Sequence, residues 1–136
     1  MNHKYPLKTI EKVRYGDTDR QGHVNNAIFN EYFESGRVEL LYHPHHPLND
    51  EQCSFVTVHV SIDYHDEINW PGELLVQTGI KKIGTSSIRF IQSLYQDDVE
   101  VATCEAVIVH VNPLLKKSQP LREDVRELLK QYVISE

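Results

Sequence analysis

The spacing of hydrophobic and polar residues changes several times along the chain, and each change marks an element. Lys8 to Tyr15 predicts a strand whose apolar members are Ile10, Val13 and Tyr15, although its alternation is imperfect. The stretch Gly16-Asp-Thr-Asp-Arg-Gln-Gly-His23 holds two glycines among small polar side chains and predicts a loop. From about Asn26 to His43 the period becomes helical. Ile28 and Tyr32 stand four apart, as do Phe29 and Phe33, and Leu40 and Leu41 continue the stripe. Glu31, Glu34 and Glu39 fall on the other side, which predicts a solvated or partner-facing surface. Pro44 cannot continue a helix, so residues 44–50 predict a loop.

The period then drops to two. Val56, Val58, Val60, Ile62 and Tyr64 share one parity, and Thr57, His59, Ser61 and Asp63 share the other. A turn at Asn69-Trp-Pro-Gly72 leads to a second strand with Leu74, Val76, Thr78 and Ile80. After Gly84, Ile88, Phe90 and Leu94 predict a third strand, ended by Gln96-Asp-Asp98. Val99, Val101, Val107, Val109 and Val111 share the parity of a fourth. Beyond Ser118-Gln-Pro120, Leu121, Val125, Leu128 and Leu129 line one helical face, with Glu123 and Asp124 early and Lys130 late, as the helix dipole favours. Strand, long helix, four strands and a terminal helix predict an α+β fold rather than a doubly wound sheet. One helix against an antiparallel sheet leaves edges to cover, so a homodimer is expected.

The 136 residues suit one domain spanning 1–136. With 40% hydrophobic and 25% charged residues, the chain has the balance of a folded globular protein. No apolar run reaches the roughly 20 residues that span a bilayer, and Met1 to Pro6 lacks the apolar core of a secretory signal. The expected location is the cytoplasm. A net charge of -6 argues against nucleic acid or an anionic membrane as partner. Cys53 and Cys104 show no metal or disulfide spacing and predict two reduced thiols. His43, His45 and His46 straddle Pro44 and Pro47 without an HExxH pattern, so no metal is expected there. No P-loop, dinucleotide fingerprint or serine nucleophile elbow is present.

The run from Arg14 through Asp17-Thr-Asp19 and Gly22-His-Val-Asn-Asn26 resembles the signature of the 4-hydroxybenzoyl-CoA thioesterase-like branch of the hotdog superfamily. The likeness continues through Glu31-Tyr-Phe-Glu, Arg37-Val-Glu, Val60-Ser-Ile-Asp-Tyr, Pro71-Gly-Glu and Ile83-Gly-Thr-Ser-Ser, and so covers nearly the whole chain. It implies a hotdog fold, a long central helix wrapped by a curved antiparallel sheet. It also implies dimers or dimers of dimers, and hydrolysis of an acyl-CoA thioester to acid and CoA without a metal or other cofactor. The second Asp of the Asp-x-Asp pair is the family's usual catalytic carboxylate, which falls on Asp19.

The chemistry is consistent with that role. A thioester carbonyl needs an attacking carboxylate or a water activated by a base, and Asp19 can serve as either. The oxyanion needs fixed donors, and backbone N–H groups around Val24 to Asn26 at the helix start are the candidates. Tyr15 and Asn26 also match family positions: Tyr15 either orients the carboxylate or packs, and Asn26 either orients the thioester or water or caps the helix. Relatives with His at the helix start differ from this chain, which has Asn26. Asp17 and Asn25 read as loop structure, and His23 either contacts substrate or orders the loop, so His23, Val24 and Asn25 complete the expected substrate-binding set. Asp63 and His65 near a strand end are either edge polarity or close to a partner's site. Lys81, Lys82, Arg89, Lys116 and Lys117 are the cations available to CoA phosphates. The competing readings are a non-catalytic acyl-thioester-binding protein, an acyl-thioester hydratase or dehydratase, and a structural dimer. Acyl type, and acyl carrier protein as an alternative donor, stay open.

Overall fold

The structure is a computed structural model describing residues 4–19 and 22–134. Arg20 and Gln21, inside the signature loop, lie outside the described residues, as do residues 1–3, 135 and 136. Five antiparallel strands form a curled sheet in the order β1 (Leu7–Lys12), β5 (Glu73–Ile83), β6 (Ser87–Gln96), β7 (Val99–Asn112) and β4 (Ser54–Tyr64), and the short β8 (Lys117–Ser118) adds to β7. The half-barrel curls around α1 (Phe29–Leu41), and α2 (Glu123–Lys130) packs near β5. No helix among the described residues is long and apolar enough to cross a membrane.

The helix behaves as its period requires. Phe29, Tyr32, Phe33, Gly36, Arg37, Leu40 and Leu41 are buried, and Glu31, Glu34 and Glu39 lie on the side turned away from them. Its ends differ from expectation. Asn26–Ile28 form one turn of 3-10 helix, a common way to start an α-helix, and the C-terminal turn stops at Leu41. Tyr42–His43 (β2) instead pairs with His46–Pro47 (β3), which turns the predicted loop into a small hairpin.

Two residues in the middle of the stripe set the distance between helix and sheet. A Cβ on Gly36 would stand 2.7 Å from Thr78 Oγ1, 2.8 Å from Val76 Cγ1 and 2.9 Å from Gln92 Nε2, so only glycine permits this approach. Arg37, 2% exposed, donates to Gln92 Oε1 at 3.0 Å, and Gln92 Nε2 donates to Thr78 Oγ1 and the Phe33 carbonyl. Cys104 lies beside the guanidinium. Burial pushes its thiol up to about 11, and Arg37 offsets part of that rise. Cys53 is also a buried free thiol.

Strand existence follows the sequence, but burial departs from the expected face in three strands. In β7, Ala102, Cys104, Ala106 and Ile108 face the core, while Val107, Val109 and Val111 are half-buried on the outer face. Valine periodicity alone cannot choose the buried face, because β-branched residues suit either pleated face. In β1, Ile10 is 63% exposed because Leu7, Thr9 and Glu11 take the inner parity, and Tyr15 lies beyond the strand. Strand β4 forms one border of the sheet, with a register shift between Thr57 and His59. There Val56 and Val58 are 39% and 60% exposed, although alternation had placed them on a shared apolar face.

Candidate active site

The loop after β1 is anchored by a buried carboxylate. Val13 donates its N–H to the Gly72 carbonyl, and the chain then makes one 3-10 turn over Tyr15–Asp17. Asp17, 4% exposed, accepts the Tyr32 hydroxyl at 2.6 Å, the Arg14 N–H at 3.1 Å and the Arg14 guanidinium at 3.0 Å. Burial alone would raise its carboxyl, but bonds from Tyr32 and Arg14 outweigh burial and hold it below the usual carboxylate range. Burial, followed by the neighbouring carboxylate, pushes the Tyr32 phenol far up. Asp17 therefore fastens the loop to α1, in keeping with its structural reading from sequence.

A second clasp comes from the β4–β5 connection. Val24 donates its N–H to the Ile68 carbonyl at 3.0 Å, and His23 bridges antiparallel to Asn69. Asn69 is itself gripped on both backbone groups: its N–H donates to Gln96 Oε1 at 2.9 Å, and Gln96 Nε2 donates to its carbonyl at 2.8 Å. His23 Nε2 lies 3.1 Å from Glu67 Oε2. Sequence reasoning missed both Gln96 and Glu67. In the sequence Gln96 marks only a turn, and no local pattern announces a partner 27 residues away.

Asp19 occupies the tip of this loop, with an exposed side chain. Its N–H donates to the His23 carbonyl at 2.8 Å, its carbonyl accepts the Gly22 N–H at 3.2 Å, and its Oδ1 accepts the His23 N–H at 3.4 Å. Gly22 takes φ +82°, a conformation that favours glycine and closes the turn. Beside the loop is a cavity of about 320 Å³ lined by Asp19, His23, Asn25, Asn26, Phe29 and Glu67 among others.

The helix start lies at this cavity, and bonds from several sides fix its peptides. Asn25 donates its N–H to the Asp17 carbonyl, and its side chain accepts the Ala27 N–H at 3.0 Å. The Tyr64 hydroxyl donates to the Asn26 carbonyl at 3.2 Å, and its ring meets Phe29 edge-on at 5.0 Å. Asn26 opens the 3-10 turn, so its N–H is one that the helix itself leaves without a carbonyl.

These bonds engage some of the groups expected at the site. The N–H groups of Val24 and Asn25 are committed to Ile68 and Asp17, which narrows the oxyanion candidates from Val24–Asn26 to Asn26. Val24 lines the cavity but is only 4% exposed and belongs to the core, and Asn25 is the cap. Tyr15 is not among the residues lining this cavity. It is 72% exposed and meets Trp70 edge-on at 5.1 Å, so packing on the β4–β5 connection accounts for it.

Other flagged groups are accounted for locally. Lys81 and Arg89 both pair with Glu105 on the outer sheet face. His65 Nε2 lies 3.3 Å from Thr103 Oγ1. His43, His45 and His46 gather at the β2–β3 hairpin, with ring centroids 5.6 and 6.2 Å from that of His43. Ligand atoms of Asp50, Cys53 and His110 come within 4.8 Å of one another. Both His110 nitrogens are nevertheless engaged: Nε2 accepts the Asp50 N–H, and Nδ1 faces the Gln119 carbonyl. The Asp50 carboxylate pairs with Arg122. A larger hollow of about 620 Å³ lies at the far end of α1, with Leu40, Leu48, Val125 and Leu128 in its lining. Its lining includes neither Asp19 nor the opening turn of α1, and its Asp124 pairs with Arg122, so the smaller cavity is the better candidate for chemistry.

The model of the thioesterase-like superfamily matches residues 13–129. The acyl-CoA thioester hydrolase YbgC of Escherichia coli O6:H1 is 28% identical over 124 residues, which cover 88% of this chain and 92% of that protein. The acyl-CoA thioesterase YbgC of Haemophilus influenzae is 27% identical over 114 residues, 81% of this chain and 82% of that one. A predicted thioesterase from Bacillus stearothermophilus superposes with a TM-score of 0.85 at 27% identity, covering 96% of this chain and 98% of that chain. A thioesterase from Thermus thermophilus, solved in complex with coenzyme A and Zn, superposes with a TM-score of 0.80 at 26% identity, over 93% of this chain and 98% of that one.

Proposed function

Because this chain belongs to the thioesterase-like superfamily and is a hotdog-fold thioester hydrolase, we propose that it hydrolyses an acyl-CoA at the Asp19 cavity. The observation that carries this reading is the pairing of an exposed loop carboxylate with the first N–H of α1's opening turn at one cavity. The names of the YbgC relatives and the coenzyme A bound to the Thermus thioesterase support CoA as the thiol half of the substrate.

In this reading the thioester carbonyl carbon lies beside Asp19, and its oxygen lies toward the Asn26 N–H. As attack proceeds, negative charge builds on that oxygen. A fixed donor at a helix start stabilises it more in the transition state than in the ground state, by about 3 kcal/mol for one well-placed donor. The donor is held in place because Asn25 and Tyr64 fix the next peptide from both sides. Asp19 acts as nucleophile or as general base. Strand β4 supports a homodimer: a long border strand with exposed valines is the kind of edge that a second copy covers.

The test follows free thiol with a chromogenic reagent across short, medium, long and aromatic acyl-CoAs, for wild type and Asp19→Asn. The expected outcome is prompt release by wild type and a loss of about a hundredfold or more in the folded mutant. Full turnover by a folded Asp19→Asn would remove Asp19 from the chemistry. Binding without release across the panel would replace hydrolysis with a binding role.

A further inference from the structure

Asp19 shares its cavity with a histidine that is already held by a carboxylate. His23 Nε2 lies 3.1 Å from Glu67 Oε2, and both residues line the cavity with Asp19 and Asn26. In a neutral imidazole, the nitrogen facing a carboxylate carries the proton, which leaves Nδ1 as the acceptor. The pair is brought together by backbone register rather than by two long side chains meeting. The His23–Asn69 bridge and the Val24–Ile68 bond align the segments, and Gln96 grips Asn69 from behind. The Glu67 side chain is 62% exposed and that of His23 33%, so solvent screens their attraction. What the contact supplies is ring orientation and a chosen tautomer. Near neutral pH an imidazole is a better proton acceptor than an ordinary carboxylate, whereas a carboxylate is a competent nucleophile.

We propose that Glu67 is a positioning residue that holds His23 as the proton acceptor for the hydrolytic water, which leaves Asp19 to attack the acyl carbon. This inference rests on the hydrolytic reading of the cavity. An Asp19 oxygen bonds the thioester carbon, the C–S bond breaks, and sulfur leaves with the electron pair as the CoA thiolate. Water then bonds the acyl carbon while His23 Nδ1 takes one of its protons. The bond from the acyl carbon to the Asp19 oxygen breaks and regenerates the carboxylate. The imidazolium proton passes to the thiolate, so thioester plus water gives acid plus thiol.

The test is rapid-mixing thiol release by His23→Ala, Glu67→Ala and Glu67→Gln, with circular dichroism to establish that each is folded. For His23→Ala we expect a burst of about one thiol per site, then turnover slowed about a hundredfold. kcat and KM should fall together so that kcat/KM holds, because attack by Asp19 does not use His23. Added imidazole should restore turnover. Glu67→Ala should slow turnover about tenfold, and Glu67→Gln should recover most of that loss, because its amide oxygen still accepts the Nε2–H. A merely structural pair gives neither burst nor imidazole rescue. Turnover by His23→Ala equal to wild type, or slowed turnover without burst and rescue, overturns the proposal while leaving the hydrolytic reading intact. A wild type that releases no thiol from any acyl-CoA overturns both.

Discussion

Replacing Gly36 with alanine sets two physical effects against each other. Alanine is the better helix former by about 1 kcal/mol, so propensity alone predicts a more stable protein. The added methyl carbon, however, would lie 2.7, 2.8 and 2.9 Å from Thr78 Oγ1, Val76 Cγ1 and Gln92 Nε2. Each distance is well short of a normal carbon contact of about 3.5–4.0 Å. Those atoms cannot yield separately. Gln92 Nε2 bonds Thr78 Oγ1 and the Phe33 carbonyl, while Gln92 Oε1 holds buried Arg37. Overpacking of this kind costs about 1–3 kcal/mol, and a strained buried hydrogen bond adds about 1 kcal/mol. The net expectation is a loss of about 2 kcal/mol, which for a chain of this size lowers Tm by about 6–10 °C. Urea and thermal unfolding followed by circular dichroism, at matched protein concentration, would measure it. A Gly36→Ala protein as stable as wild type, or more so, would refute the claim that close approach rather than helix propensity decides this position.

Tyr32→Phe removes the hydroxyl that donates to buried Asp17 at 2.6 Å. A hydrogen bond to a charged group is worth about 1.5–3 kcal/mol, and that loss is expected in denaturant titrations at neutral pH. The Asp17 carboxyl is held below its unfolded value, so its stabilisation is complete above the ordinary carboxylate range and is lost as pH falls through the folded value. The gap between wild type and Tyr32→Phe should therefore shrink as pH falls below the ordinary carboxylate range, and a gap that stays constant until the protein unfolds in acid would contradict this linkage. Val58→Lys places a charge on the exposed border strand. Sedimentation should show a smaller assembly than wild type at equal concentration, with native circular dichroism; an unchanged sedimentation profile would count against β4 as the dimer edge.

The sequence by itself determined the long elements and their order, though not the short β2–β3 hairpin or β8. Period-two runs at Val56–Tyr64 and Leu74–Ile80 and the aromatic stripe at Phe29–Phe33 are local signals, because a side chain's neighbours along one strand or helix are fixed by geometry. The loop between Gly16 and His23 was legible for the same reason. Tertiary structure decided which face each strand buries. Val107, Val109 and Val111 of β7 lie on the outer face while Ala102, Cys104, Ala106 and Ile108 face the core, a choice set by pairing with β6 and β4 rather than by the strand's own pattern. The environment of the candidate site was settled in the same way. Tyr15 packs on Trp70 instead of entering the cavity, and the Val24 and Asn25 N–H groups are taken by Ile68 and Asp17. Glu67 reaches His23 only because the β4–β5 connection lies against the loop. Hydrophobic periodicity encodes local burial, whereas the pairing of polar groups across the fold is set by register and by distances between helix and sheet that no single segment contains.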